Sequence, residues 1–289
     1  MKWFESYLCN RTQCIYVNNV LSSNADILYG VPQGSILGPL LYTLYTTPLG
    51  KIIKNHNMQY HMYADDTQLY LSFDPCFISE SVASIERCVV EVSNWMSVNK
   101  LKLNQDKTEA VLCNPRNIDV FDNITEINIG TDKVKLSKKV KNLGVYFDSA
   151  LTMESHVNHL CKCLHLELRK IHQMSAVLDT NSIKQLVVSY MFSKLDYCNV
   201  LLSHIPQELI DKLQKIQNHA ARLITKTPVR SHITPSLIKL HWLPVRTRLD
   251  FKTAVLCYCY GIVPLYSSKM IDCYVPSRNL RSRSQMKRS

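Results

Sequence analysis

Residues 59–73 read QYHMYADDTQLYLSF. Tyr60, Met62, Leu69, Leu71 and Phe73 fall in alternating or aromatic-rich runs on either side of Ala64-Asp65-Asp66. That pattern predicts a β-hairpin with two adjacent carboxylates at its turn. Asp favours turns because its side chain hydrogen-bonds nearby backbone, so Tyr63-Ala64-Asp65-Asp66 alone reads first as an acidic turn. The chemical alternative is metal binding. Phosphoryl transfer uses metal ions that clamp the attacking and leaving oxygens, and Mg²⁺ prefers carboxylate oxygens and water. Neighbouring aspartates on a rigid hairpin present such oxygens.

Upstream, residues 30–41 read GVPQGSILGPLL. Gly30 to Ser35 form a predicted tight turn that ends in a good N-cap. The apolar run 36–53 predicts a buried helix with Pro39 in its first turn. Residues 13–20 and 26–30 read as two strands joined by the polar turn Ser22-Ser23-Asn24, after a helical segment around Trp3 and Leu8. Downstream, Val82, Ile85, Val89, Val92 and Met96 recur at three- and four-residue steps, predicting an amphipathic helix over 79–99. A short strand is expected over 108–113, with further strands over 126–147 around Gly130-Thr131-Asp132. Beyond Thr152 the texture becomes long helices, with Leu209, Leu213, Ile216, Ala220 and Leu223 forming one stripe.

The turn GVPQGS followed by Tyr63-Ala64-Asp65-Asp66 resembles the reverse transcriptase family, specifically its non-LTR (LINE-type) retrotransposon branch. The resemblance implies that Asp65 and Asp66 hold metal, and that Gly30, Pro32, Gln33, Gly34, Ser35 and Tyr63 shape the nucleotide and template pocket. It continues through residues 99–109, where Lys107 matches a lysine that protonates the leaving pyrophosphate or binds phosphate. A positioned ammonium suits either role, and a solvated Lys entering a strand is the plain alternative. Leu143, Gly144 and Val145 resemble the hairpin that grips the primer end, although the same residues suit a core strand. Residues 243–249, LPVRTRL, are also similar to the family and carry no chemical role that the residues themselves suggest.

The implied fold is α+β: a partial polymerase palm, an antiparallel sheet with helices, over 1–150; a helical thumb-like region over 151–277; and a basic tail over 278–289 without apolar pattern. The implied activity is template-directed DNA synthesis from RNA, with an RNA template, a DNA primer, dNTPs and Mg²⁺ as partners and cofactor. The family's earlier strand, with a further catalytic Asp, has no counterpart here. Ahead of Asp65 the only carboxylates are Glu5 and Asp26. The chain is therefore expected to be an N-terminally truncated polymerase with little or no activity by itself. Two other readings stay open: a noncatalytic nucleic-acid-binding remnant, and an unstable fragment without function.

Charge fits a polyanion partner. Residues 1–100 hold 6 Lys and Arg against 8 Asp and Glu, whereas residues 101–289 hold 28 against 15, so the positive field belongs to the C-terminal part. The 11 Cys include no CxxC pair, and residues 1–10 carry no apolar run of a secretory signal; an odd Cys count without such a signal points to reduced thiols in an intracellular chain, nuclear or cytoplasmic, and no apolar run approaches a membrane span. His156, His159, Cys161, Cys163 and His165 cluster without any standard zinc spacing and read as a packed helix. Cys257 and Cys259 read as core packing.

Overall fold

The computed structural model describes residues 2–32, 34–114, 124–130 and 132–259. The chain divides into two compact units, Met1–Val140 and Lys141–Ser289. Both helices and strands are present, and among the described residues the strands pair only two by two.

The first unit opens with helix α1 (Lys2–Leu8), then strands β1 (Arg11–Gln13), β2 (Tyr16–Val17), β3 (Val20–Leu21) and β4 (Ala25–Ile27). β1 pairs antiparallel with β4, and β2 pairs with β3 inside that loop. This corrects the expected two-strand reading. The chain reverses at Asn18-Asn19, both at positive φ (50° and 64°), rather than at Ser22-Ser23-Asn24. Two successive positive φ values make the tight hairpin turn that asparagine tolerates better than most residues.

Helix α2 (Gly38–Asn55) carries Pro39 in its first turn, where no backbone N–H is needed. Its C-terminal half is buried through Thr46, Leu49, Gly50 and Ile53. Its N-terminal half is not: Ile36, just before it, is 95 % exposed, and Leu40 and Leu44 are exposed. The expected buried helix over 36–53 is thus correct in type and wrong in burial. Apolar periodicity identifies a face without saying what covers it.

The hairpin forms as expected, from β5 (Gln59–Tyr63) and β6 (Asp66–Tyr70), in the register Tyr60 to Leu69 and Tyr63 to Asp66. Helix α3 (Ile78–Val98) follows a 3-10 turn whose start is capped by Asp74, which accepts from Cys76 N–H at 3.0 Å. Leu49, Ile53, Met58, Cys88 and Val92 form the core of this unit, and Tyr60, Met62, Leu69 and Leu71 pack on it. One face of the hairpin therefore lies on the helices and the other faces outward.

The strand expected over 108–113 is absent. Ala110 makes only an isolated parallel bridge to Leu136. β7 (Glu126–Ile129) and β8 (Asp132–Lys135) form an antiparallel hairpin, and Glu86 on α3 accepts from both the backbone and side-chain N–H of Asn128, at 2.7 and 2.8 Å. Thr131 lies outside the described residues.

β9 (Lys139–Asn142) and β10 (Val145–Asp148) form the next hairpin, and β10 packs on α4 (Glu154–Met174). Then come α5 (Thr180–Val187), capped by Asp179, a π-helical stretch Val188–Phe192, α6 (Ser193–Leu195), α7 (Gln207–Thr225), α8 (Thr234–Leu240) and α9 (Val245–Cys259). The apolar stripe is realised on α7: Leu209, Leu213, Ile216 and Ala220 are buried, with Leu223 packed against the same core. Each fully buried side chain of Leu or Ile size contributes about 1.5–3 kcal/mol over exposure. Among the described residues the second unit buries more of these than the first. The tail 278–289 lies outside the described residues.

Candidate active site

The hairpin tip presents the acidic pair. Ala64 and Asp65 form the two-residue turn, and Asp66 opens β6 opposite Tyr63. Directly paired residues share a face, so Asp66 and Tyr63 stand together on the side away from the Leu49–Val92 core. Asp65, Asp66 and Tyr63 are all exposed. Ala64 takes φ +53°, a left-handed conformation that disfavours any residue with a Cβ. The core beneath the hairpin holds that turn in place.

Tyr42, on the second turn of α2, links this tip to the glycine segment. Its phenol is pushed above its ordinary range, first by burial and then by the negative charge of Asp65. The acidic tip thus lies beside the N-terminal part of α2, whose lead-in is the Gly30–Ser35 turn. No local pattern marks Tyr42 for this place. A tyrosine four residues into the helix pattern reads as core until the partner hairpin is known.

The glycine turn is tied from two sides. Ser35 Oγ accepts from Gly38 N–H at 3.1 Å and from the Tyr7 hydroxyl at 2.6 Å. The cap expected of Ser35 is not formed, because α2 starts at Gly38 with Leu37 in the N-cap position and no side-chain cap; the first bond instead ties Ser35 to the residue that opens the helix, and the second joins it to α1. Arg11 donates from Nη2 to the Gly30 carbonyl at 2.5 Å and from Nε to Leu8 O at 3.1 Å. Gly30 and Gly34 adopt φ of +79° and +81°, and a Cβ on either would meet nothing within 4 Å. Their glycine requirement is therefore conformational, and the space beside them is open. Pro32 is exposed, and Gln33 lies outside the described residues. Tyr7 and Arg11, both missed in the sequence, act on the turn across 28 and 19 residues, a separation that local pattern does not reveal.

Residues 99–109 approach the same turn at their start. Lys100, at φ +59° just past α3, holds its ammonium 5.7 Å from the centre of the Tyr29 ring, and Tyr45 on α2 donates to Asn99 O at 2.8 Å. Lys107 closes a short 3-10 turn, Gln105–Lys107, and forms no ion pair with Asp65 or Asp66. Among the described residues, no three His, Cys, Asp or Glu side chains gather as a metal-holding group. The donor set at the tip is the carboxylate pair.

A family model described as reverse transcriptase (RNA-dependent DNA polymerase) matches residues 1–147, just over half of the chain. The chain belongs to the reverse transcriptase family. Three curated relatives from Drosophila melanogaster agree. This reverse transcriptase chain is 26 % identical over 244 residues to the probable RNA-directed DNA polymerase from transposon BS, covering 78 % of the chain and 25 % of the relative. It is 24 % identical over 226 residues to the probable RNA-directed DNA polymerase from transposon X-element (76 % and 24 %). It is 22 % identical over 242 residues to the RNA-directed DNA polymerase from mobile element jockey (78 % and 25 %). The reverse transcriptase chain spans about a quarter of the length of these relatives. They support a non-LTR type of reverse transcriptase domain. No solved structure matches it.

Leu143, Gly144 and Val145 of the reverse transcriptase chain belong to the second unit. Leu143 and Gly144, at φ +45° and +85°, form the turn between β9 and β10, and Val145 is buried in the helical core. LPVRTRL also has a structural place. The Leu243 carbonyl accepts from Gln217 Nε2 at 2.9 Å, and Val245 N–H donates to Gln214 Oε1 at 2.7 Å. Arg246 donates to Ser203 O and Gln207 Oε1, both at 3.0 Å. Arg248 makes a two-point pair with Asp196, at 2.8 and 2.5 Å. The segment pins the start of α9 to α6 and α7. In the histidine cluster, His156 is buried and accepts from Tyr146 N–H at 3.4 Å, while Cys163 Sγ contacts His159 Nε2 at 3.4 Å.

Proposed function

We propose that this chain is the metal- and nucleotide-facing part of an RNA-directed DNA polymerase that works inside the cell, in the nucleus or cytoplasm. Residues 1–150 act as a partial palm and residues 151–277 as a thumb-like region. The observation that carries the reading is the exposed hairpin tip, where Asp66 follows Asp65 and pairs with Tyr63. The negative charge of Asp65, which helps raise the Tyr42 phenol on α2, supports one site built from the acidic tip and the Gly30–Ser35 turn.

In this reading Asp65 and Asp66 hold Mg²⁺, which when bound neutralises the nucleotide's phosphates. Asp66 and Tyr63 share the outward face, so both meet the substrate side. Gly30 and Gly34 leave room for the template base and incoming dNTP, with Pro32, Gln33 and Ser35 shaping that pocket. Lys107 serves the phosphates through a positioned ammonium. Leu143, Gly144 and Val145 hold the DNA primer end. Two exposed carboxylates bind Mg²⁺ loosely, because the ion surrenders its water reluctantly. These 289 residues by themselves are therefore expected to bind metal weakly and to extend a primer poorly or not at all.

Manganese, visible by electron paramagnetic resonance, tests the site. Millimolar binding that disappears in the double variant Asp65→Asn, Asp66→Asn supports the reading. Binding that ignores both substitutions overturns it. A second, noncatalytic reading is favoured by the charge of residues 101–289 and by the groove of His165, Arg169, His172 and His219 between α4 and α7. It predicts that an RNA/DNA duplex binds equally well to that double variant, with affinity falling steeply as salt rises.

A further inference from the structure

The turn Leu143-Gly144 is braced from outside its own hairpin. Tyr197 donates its hydroxyl to the Leu143 carbonyl at 2.7 Å. Its ring lies so near Gly144 that a Cβ there would stand 3.4 Å from the ring edge. Tyr197 is held in turn by its neighbour. Asp196 caps the end of α6 and receives Arg248 Nε and Nη2, one on each carboxylate oxygen. The same guanidinium lies 4.3 Å from the centre of the Phe192 ring, and Phe192 meets Trp242 edge to face at 4.5 Å. Arg248 is fixed from behind because Val245 and Leu249 are buried on α9. A continuous chain of contacts therefore runs from LPVRTRL through Asp196 and Tyr197 to the turn.

We propose that Arg248, Asp196 and Tyr197 are positioning residues that set the Leu143-Gly144 turn for the primer terminus, an inference that rests on reading that turn as the primer-end contact. The physical ground is stiffness. A two-point guanidinium–carboxylate pair fixes direction as well as distance. A hydroxyl on a ring with few rotatable bonds carries that direction to the carbonyl. Without the brace the hairpin tip is free to pivot on β9 and β10. The LPVRTRL segment acquires a role through this route although it touches no nucleic acid in the proposal.

The test uses the whole chain. Its 7 glycines allow Gly144 to be followed by nuclear magnetic resonance after ¹⁵N-glycine labelling. Fluorescence anisotropy compares an RNA/DNA hybrid with a recessed 3′ DNA end against a blunt hybrid of equal length. Tyr197→Phe keeps the ring and removes the donor. It is expected to leave the melting temperature nearly unchanged, shift the Gly144 amide signal, and reduce the preference for the recessed end about fivefold, the change that one ordinary hydrogen bond represents. Arg248→Lys is expected to act likewise, since an ammonium cannot repeat the two-point pair. The exchange Asp196→Arg with Arg248→Asp is expected to restore part of the preference. A Gly144 signal that ignores Tyr197→Phe overturns the proposal, whatever the binding does. A shifted signal with unchanged preference overturns the positioning role. If the wild-type chain shows no preference for a recessed end, the primer-end reading of the turn fails. The Gly144 signal then decides by itself whether the brace exists.

Discussion

The ring of Tyr60 rests against the backbone of α2 at Gly50, closely enough that a Cβ on Gly50 would overlap the phenol. This contact sets the height of the hairpin carrying Asp65 and Asp66, because Tyr60 lies four residues before Ala64 at the tip, on the inward face. Gly50→Ala should gain about 1 kcal/mol of helix propensity and lose about 1–3 kcal/mol to overpacking. The expected net effect is a lower melting temperature of the first unit, with weaker metal binding at the tip. A thermal melt followed by tyrosine fluorescence checks this. A variant as stable as the parent would show that Tyr60 can step aside.

The left-handed Ala64 supplies a second prediction. Replacing it by glycine removes a backbone penalty of about 1 kcal/mol, partly offset by the greater freedom of the unfolded chain. Ala64→Gly should therefore be neutral or slightly stabilising, and Ala64→Val clearly destabilising. Urea midpoints of the two variants give the answer. The same order would appear in metal affinity if the turn itself presents the carboxylates.

His156 makes the second unit sensitive to pH. Burial, and then the charge of neighbouring His159, hold its folded value below the ordinary 6.5. The unfolded chain thus takes up a proton that the folded chain refuses. Stability is fully present above about pH 6.5, the unfolded value, and falls as pH drops from there toward the lower folded value. Protonation would also remove the acceptor that Nδ1 offers to Tyr146 N–H. Denaturation of the chain at pH 5 and pH 7.5 should show the lower midpoint at pH 5, with the difference reduced in His156→Gln. A midpoint independent of pH would count against this burial of the ring.

The uncovered half of α2 carries an aggregation risk. Leu40 and Leu44, one helical turn apart, are exposed, and so is Ile36 just before the helix. Leu40→Glu with Leu44→Lys replaces two of these residues by an oppositely charged pair four positions apart, which supports the helix slightly. Light scattering should fall while the circular dichroism of the chain stays the same. Unchanged scattering would mean that association uses another surface.

The order of residues alone marks the family through two local motifs, GVPQGS and Tyr63-Ala64-Asp65-Asp66, because their chemistry depends on residues adjacent in the chain. It also determined the hairpin at 59–73, the helix near 79–99 and the stripe on α7, where periodicity and burial agree. The tertiary structure decided what depends on partners far away. It placed Tyr42 beside Asp65, tied Tyr7 and Arg11 to the glycine turn, left Leu40 and Leu44 uncovered, and gave Leu143-Gly144 to the helical unit through Tyr197. It also withheld the strand that the local pattern predicts over 108–113, leaving an isolated bridge at Ala110. The physical reason is common to all of these. Local propensity fixes which backbone shape a segment prefers, whereas burial and hydrogen-bond partners come from side chains tens of residues away, whose approach no short pattern encodes.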